Sequence, residues 1–286
     1  MDFGRVLTAM VTPFDKQGDV DYDTMTRLIE HLLNNGTEGL IITGTTGESP
    51  TLNNEEKISI YKHVVKIVNE RIPVIAGTGT YNTLHSIELT KEAEHAGVDG
   101  IMLVTPYYNK PNQHGLYEHF ATIAKATNLP IMLYDIPGRS GINLETETIV
   151  ELNHIPNIVS LKDASGNLSH TATVIHSTSD EFTVYSGDDE MTLPILSIGG
   201  HGVVSVASHI IGREISEMIE AFITGDVEVA AQMHRSLLPV MTGLFLAPSP
   251  VPVKTALNIK GIHVGGVRQP LLQLSEVEKQ QLKQLL

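Results

Sequence analysis

Residues 83–105 read TLHSIELTKEAEHAGVDGIMLVT, and this stretch holds the unit from which the rest of the chain is built. A helical segment over 83–96 stops at Gly97, Val98-Asp99 turns the chain, and the apolar run GIMLVT follows at 100–105. A glycine just past a helix takes up the left-handed cap that sends the chain back toward a sheet. The same ending occurs earlier, NNGTEG at 34–39 against HAGVDG at 95–100, so one supersecondary unit is used again.

Working outward, seven further apolar runs appear: LTAMVT (7–12), GLIIT (39–43), PVIAG (73–77), PIMLYD (130–135), IVSLKD (158–163), FTVYSG (182–187) and GVVSV (202–206). Runs with almost no polar alternation are buried on both faces, as parallel strands covered by helices are. Amphipathic segments separate them. Residues 23–35 put Met25, Leu28, Ile29, Leu32 and Leu33 on one face before Gly36. Residues 54–70 space Ile58, Tyr61, Val65 and Val68 for a helix, with Asn54 as its expected N-cap. An eighth helix is expected near 213–224.

Eight such units predict an α/β chain, a closed (β/α)8 TIM barrel over residues 1–225. The competing architecture is an open doubly wound sheet. The number eight and the lack of a dinucleotide fingerprint favour the barrel. Residues 226–286 read as a C-terminal helical extension (226–243, 252–259, 275–286), broken at Pro248-Ser-Pro250 and at Val264-Gly-Gly266. No stretch reads as a flexible linker.

Composition narrows the function. The 286 residues carry 19 basic and 33 acidic side chains, a formal charge of −14. So negative a surface repels nucleic acid and anionic membrane. With no cysteine there is no disulfide, thiolate nucleophile or Cys-ligated metal. The start, MDFGRVLTAMVTPF, lacks the pattern of a signal peptide, and no run of 18 apolar residues occurs, so the cytoplasm is the expected compartment.

Catalytic groups of such barrels sit at the carboxyl ends of the strands. There the sequence places Thr43-Gly-Thr45-Thr46-Gly-Glu48-Ser49, Thr105-Pro-Tyr107-Tyr108-Asn109, Tyr134-Asp135 with Arg139 beyond, Lys162-Asp163, and Ser186-Gly187-Asp188-Asp189. An ordinary lysine, pKa about 10.4, is protonated and not nucleophilic. Apolar surroundings would free the Lys162 amine to attack a carbonyl; the alternative is a lysine that snorkels to solvent or pairs with a carboxylate. Tyr134, on the neighbouring strand at the same end, offers a phenol to move protons to and from an imine. The Gly-Thr-Thr-Gly-Glu-Ser loop offers hydroxyls and backbone N–H groups to a carboxylate or phosphate, but Glu48 stands where a Walker loop needs lysine. Arg139 reads either as a bidentate carboxylate clamp or as a surface arginine. Thirteen scattered histidines, with no His-Glu-x-x-His, suggest no metal, and Asp188-Asp189 reads more readily as turn carboxylates than as a metal pair. No Gly-x-Ser-x-Gly elbow occurs. No cofactor is expected.

Taken together, GTTGES (44–49), VTPYYN (104–109), YDIPGRSG (134–141), LKDASGN (161–167), SGDD (186–189) and PVPVK (250–254) closely resemble the dihydrodipicolinate synthase family, pyruvate-dependent lyases and aldolases of class I. The resemblance runs in order from about residue 3 into the C-terminal helices. It implies that Lys162 forms an imine with pyruvate and that Tyr134 is the proton donor and acceptor. Thr45, Tyr134 and Tyr108 match the family's relay. Tyr108 there enters the neighbouring subunit's site, which implies a homo-oligomer, at least a dimer. Thr46 and Val204 match pyruvate contacts, with Gly187 beside them. Arg139 matches the arginine that holds the carboxylate of aspartate semialdehyde in the synthases. Relatives that cleave N-acetylneuraminate or 2-keto-3-deoxy sugar acids usually lack it, and are the alternative; a keto-acid sensor would lack Lys162 or Tyr134.

Two departures stand out. Asp135 replaces a common asparagine. In the site where lysine-inhibited members bind lysine, Ser49 and Tyr107 match, but Lys57 replaces His, Tyr81 replaces Asn and His85 replaces Glu. A positive charge gained and a negative one lost imply weak or absent inhibition by lysine.

Overall fold

The computed structural model describes residues 3–286. Eight strands, β1 Val6–Ala9, β2 Gly39–Ile42, β3 Val74–Gly77, β4 Gly100–Val104, β5 Ile131–Asp135, β6 Ile158–Asp163, β7 Thr183–Ser186 and β8 Gly202–Ser205, close into a parallel barrel in sequence order. The open-sheet alternative is thereby excluded: β1 pairs with β8, Leu7 opposite Val204. Between the strands lie α1 Tyr22–Leu33, α2 Asn54–Val68, α3 Thr83–Ala96, α4 Gln113–Ala124, the short α5 Pro137–Ser140, α6 Thr146–Asn153, α7 Leu168–Ser177, α8 Thr192–Ser197 and α9 Ser208–Ile223. The C-terminal helices are α10 Val227–Gly243, α11 Val251–Ile259 and α12 Glu276–Lys283.

Alternation divides each strand between two cores. Leu7, Ile41, Ile75, Met102, Met132, Tyr134, Tyr185 and Val204 fill the barrel interior. Val6, Leu40, Leu103, Leu133, Leu161 and Val203 face the surrounding helices. Both faces are apolar, which is why the strands read as continuous runs. Phe3 plugs the amino-terminal end, and the Tyr185 hydroxyl donates to the Gly4 carbonyl at 2.9 Å. The carboxyl-terminal end stays open for chemistry.

The structure adjusts three boundaries. The N-cap of α2 is Asn53, not Asn54: its side chain accepts from the Glu56 N–H while Glu56 reaches back to the Asn53 N–H. Spacing of apolar residues does not separate two adjacent asparagines; the capping box does. The eighth helix begins at Ser208, five residues or so before its periodic part, because Ile211 (φ −129°, ψ 36°) kinks it. At that kink a Cβ on Gly212 would meet the Asn35 carbonyl at 2.3 Å, so α9 sits hard against the end of α1. The run 7–12 forms a strand only as far as Ala9, and Met10–Thr12 continue out over the barrel mouth. Among the described residues no helix is long and apolar enough to cross a membrane.

Candidate active site

Register places the two central groups. Tyr134 on β5 lies opposite Lys162 on β6, and Lys162 opposite Tyr185 on β7, all on inward-facing positions. The Lys162 Nζ stands over the Tyr134 ring, 4.0 Å from its centroid. Lys162 is 5% exposed, so it does not snorkel. Burial pulls its pKa down to about 8, Asp188 and Asp189 pull the other way, and Arg139 adds to the lowering. About a tenth of such amines are free at pH 7, against fewer than about one in a thousand at the ordinary value. Burial pushes the Tyr134 phenol well above its usual range, so it holds its proton, and the Thr45 hydroxyl hydrogen-bonds it. A partly free amine beside a protonated phenol suits carbonyl addition with proton transfer.

The loop after β2 is shaped by two left-handed residues, Thr43 (φ 51°) and Glu48 (φ 57°). The Thr43 hydroxyl holds the turn by donating to Ile42 O, and Thr12 Oγ1 donates to Gly47 O at 2.7 Å. A Cβ on Gly47 would press on Thr43 Cα at 3.1 Å. Among the described residues the backbone N–H groups of Thr45, Thr46 and Gly47 have no acceptor. Three successive free amides form a nest for an anion. Thr46 is buried there, and Val204 belongs to the same barrel-interior cluster as Tyr134. Gly187 donates to Asp163 O at 2.7 Å, and a Cβ on it would meet Ala164 Cβ at 2.6 Å, so only glycine allows that approach.

Arg139 sits in α5, a single turn begun at Pro137 and ended by Gly141 at φ 73°. Its guanidinium has no hydrogen-bond partner among the described residues. With Thr43, Gly44, Thr45, Tyr107 and Tyr134 it lines an open cleft of about 770 Å³, solvent mouth included. Lys162 lies off this wall, against the face of the Tyr134 ring.

Asp135 points away from the cleft. It is fully buried, its Oδ1 accepts from Leu144 N at 3.1 Å, and its Oδ2 has no partner among the described residues. Burial pushes its pKa up to about 7, opposed by the Leu144 N–H and aided by Asp163. It thus ties down the far end of the Arg139 loop. Asp189 is a turn carboxylate: it accepts from Ser205 Oγ and from the N–H groups of Val206 and Ala207 at 3.0 Å. Asp188 carries no such turn; its charge and that of Asp189 both act on Lys162, Asp188 the more strongly.

The other expected positions gather at one flank. Ser49 and Tyr107 line the same cleft. Tyr81 meets Tyr107 edge-on, centroids 5.2 Å apart, and His85 Nε2 lies 3.0 Å from Asn54 Oδ1. Lys57 is 6% exposed and its pKa is lowered by burial. Tyr108 does not line the cleft of its own chain: it is 91% exposed with φ 70°.

Sequence reading did not find the groups that brace the 44–49 loop. Glu48 is buried in a 2.9 Å ion pair with Lys254 of α11, and its other oxygen accepts from Arg268 N at 2.9 Å. The available signal was an acid and a lysine inside two of the quoted motifs, GTTGES and PVPVK, with no role assigned.

Fold and site together describe a (β/α)8-barrel enzyme with a buried amine at its mouth. The chain belongs to the dihydrodipicolinate synthetase family, whose model matches residues 2–286. It is 62% identical over 286 residues to 4-hydroxy-tetrahydrodipicolinate synthase 2 of Halalkalibacterium halodurans, covering 100% of this chain and 98% of the relative. The crystal structure of dihydrodipicolinate synthase from Bacillus anthracis matches with a TM-score of 0.98 at 53% identity, covering 100% and 98% of the two chains. The lysine-bound enzyme of Cyanidioschyzon merolae matches at 0.97 and 47%, over 99% and 97%.

Proposed function

We propose that this chain condenses pyruvate with L-aspartate 4-semialdehyde to 4-hydroxy-tetrahydrodipicolinate, on the diaminopimelate route to lysine. The observation that carries the reading is the Lys162 amine held over the Tyr134 ring beside a nest of free amides. The nest at Thr45 and Thr46 takes the pyruvate carboxylate. The Lys162 amine adds to the keto carbon, and water leaves with a proton given by Tyr134, whose hydroxyl is hydrogen-bonded by Thr45. The phenolate left on Tyr134 then takes a methyl proton from the imine to give the enamine, whose carbon attacks the aldehyde, and Tyr134 returns that proton to the new alkoxide. The amine of the second substrate attacks the imine carbon, closes the ring and displaces Lys162.

Tyr108, exposed on its own chain, reaches a neighbouring copy's site in this reading, so the working unit is a homo-oligomer. The compartment is the cytoplasm. Residues 1–225 act as the catalytic barrel and 226–286 as its extension.

Borohydride reduction in the presence of pyruvate, followed by peptide mass mapping, tests the first step: the adduct belongs on Lys162 and nowhere else. Turnover with aspartate semialdehyde against sugar acids then decides the substrate. Arg139 supports the synthase over the N-acetylneuraminate and keto-deoxy sugar acid lyases, since its unpaired guanidinium suits a carboxylate. Arg139→Ala is expected to raise KM for aspartate semialdehyde about 10- to 100-fold, the equivalent of roughly 1.5–3 kcal/mol of charged hydrogen bonds. The yield of pyruvate adduct should stay unchanged. Equal damage to both would refute the assignment.

Lysine is expected to inhibit weakly or not at all. Lys57 is buried and stands where lysine-inhibited members have His, and His85, which stands where they have Glu, is engaged by Asn54, so a cationic amino acid gains a like charge and loses a carboxylate partner. Strong inhibition at sub-millimolar lysine would overturn this.

A further inference from the structure

Lys254 sits in the C-terminal extension, far in sequence from every group that handles substrate, yet it is 1% exposed. Its Nζ donates to Glu48 Oε1 at 2.9 Å and to Thr12 O at 2.8 Å, and stands 4.2 Å from the centroid of the Phe14 ring. Thr12 in turn holds Gly47 O. Arg268 completes the brace. Its backbone N–H donates to Glu48 Oε2. Its guanidinium donates to Thr51 O at 2.8 Å, to Gly18 O at 2.9 Å and, through both terminal nitrogens, to Glu56. Residues 47–51 are thus gripped from two points of the extension.

Stability alone does not call for such a pair. Removing two charges from water costs as much as their attraction returns, and a well-packed apolar replacement is often as stable. What the pair supplies is place and charge. Glu48 is a left-handed residue directly after the free amides of Thr45, Thr46 and Gly47. Unneutralised, its carboxylate would repel an anion entering that nest. Unheld, it would let the Thr45 hydroxyl drift from Tyr134.

We infer that Lys254 and Glu48 are positioning residues for the reaction, so that the C-terminal extension sets the anion nest and the relay hydroxyl without touching substrate. The inference rests on the pyruvate reading above. Its test compares the unaltered protein, Lys254→Met, and the double variant Glu48→Gln/Lys254→Met, which buries no bare charge and stays foldable if the single variant does not. For each, the pyruvate concentration giving half-maximal borohydride trapping on Lys162 is measured with the melting temperature and both KM values. The double variant is expected to melt near the unaltered protein. It should still need about 10- to 100-fold more pyruvate for half-trapping and turn over correspondingly slowly, because a small misplacement in a site costs that much. Its KM for aspartate semialdehyde should not change. If the double variant melts normally and traps pyruvate at the unaltered concentration, the pair is structural only and the inference falls. No adduct in the unaltered protein would instead bring down the pyruvate reading itself, and the inference with it.

Discussion

Lys162→Met is expected to form no borohydride-stable adduct with pyruvate and to lose turnover on the order of 10⁴-fold or more, the scale seen when a covalent nucleophile is removed. Methionine keeps the apolar stem against the Tyr134 ring and removes only the amine, so the loss reports chemistry and not a cavity. Stability should move the opposite way. The pKa of Lys162 is lowered by burial to about 8, below the 10.5 of an unfolded lysine. Between those values the unfolded chain binds more protons than the folded one, so the folded state gains stability as pH rises from about 8 toward 10.5. Below pH 8 the burial of this ammonium works against the fold. At pH 7 Lys162→Met should therefore melt higher than the unaltered protein, a trade between activity and stability. The same pKa sets the rate of adduct formation at limiting pyruvate: it should climb tenfold per pH unit below about 8 and level off above. A climb continuing to pH 10 would mean an ordinary solvated lysine.

Tyr134→Phe carries the second large effect. Phenylalanine leaves the ring beneath the amine and takes away only the hydroxyl, so Lys162 should remain competent to meet pyruvate. The proton steps should not. General acid–base groups are worth about 10²- to 10⁴-fold, and a loss of that size in kcat is expected, with the adduct forming slowly but to full yield. Burial holds the phenol protonated through the working range, so the unaltered protein should show no alkaline limb from Tyr134. A loss in kcat under about tenfold would point to another proton carrier in the cleft.

These two residues show how far local reading reaches. Lys162 and Tyr134 close apolar runs on consecutive strands, and parallel pairing with inward alternation makes them neighbours, so their meeting was legible once eight units were counted. Whether Lys162 was solvated was not legible, since that depends on Tyr185, Val204 and the rest of the interior around it. The hydroxyls and glycines around Thr45 and Thr46 were legible as a candidate anion loop. The left-handed turns at Thr43 and Glu48 that leave three amides free were not. Asp188 and Asp189 looked alike in sequence. Only the packing of β8 makes Asp189 a turn carboxylate and leaves Asp188 without such a turn, though both charges act on the amine.

Periodicity, glycine stops and the count of apolar runs determined eight strand–helix units and favoured the barrel, because hydrophobic burial on both faces of a parallel strand writes itself into contiguous residues; the pairing of β1 with β8 closed it. The strand-end positions of Lys162 and Tyr134 followed from the same counting, and so did the place of Arg139 just beyond a strand end. Tertiary structure alone decided that Asp135 turns outward to hold Leu144, that the α9 start kinks against α1, and that Lys254 closes on Glu48. The last of these joins residues 206 positions apart. No local pattern encodes such a pair: the two side chains meet, and are shut off from solvent, only once the extension has packed against the barrel.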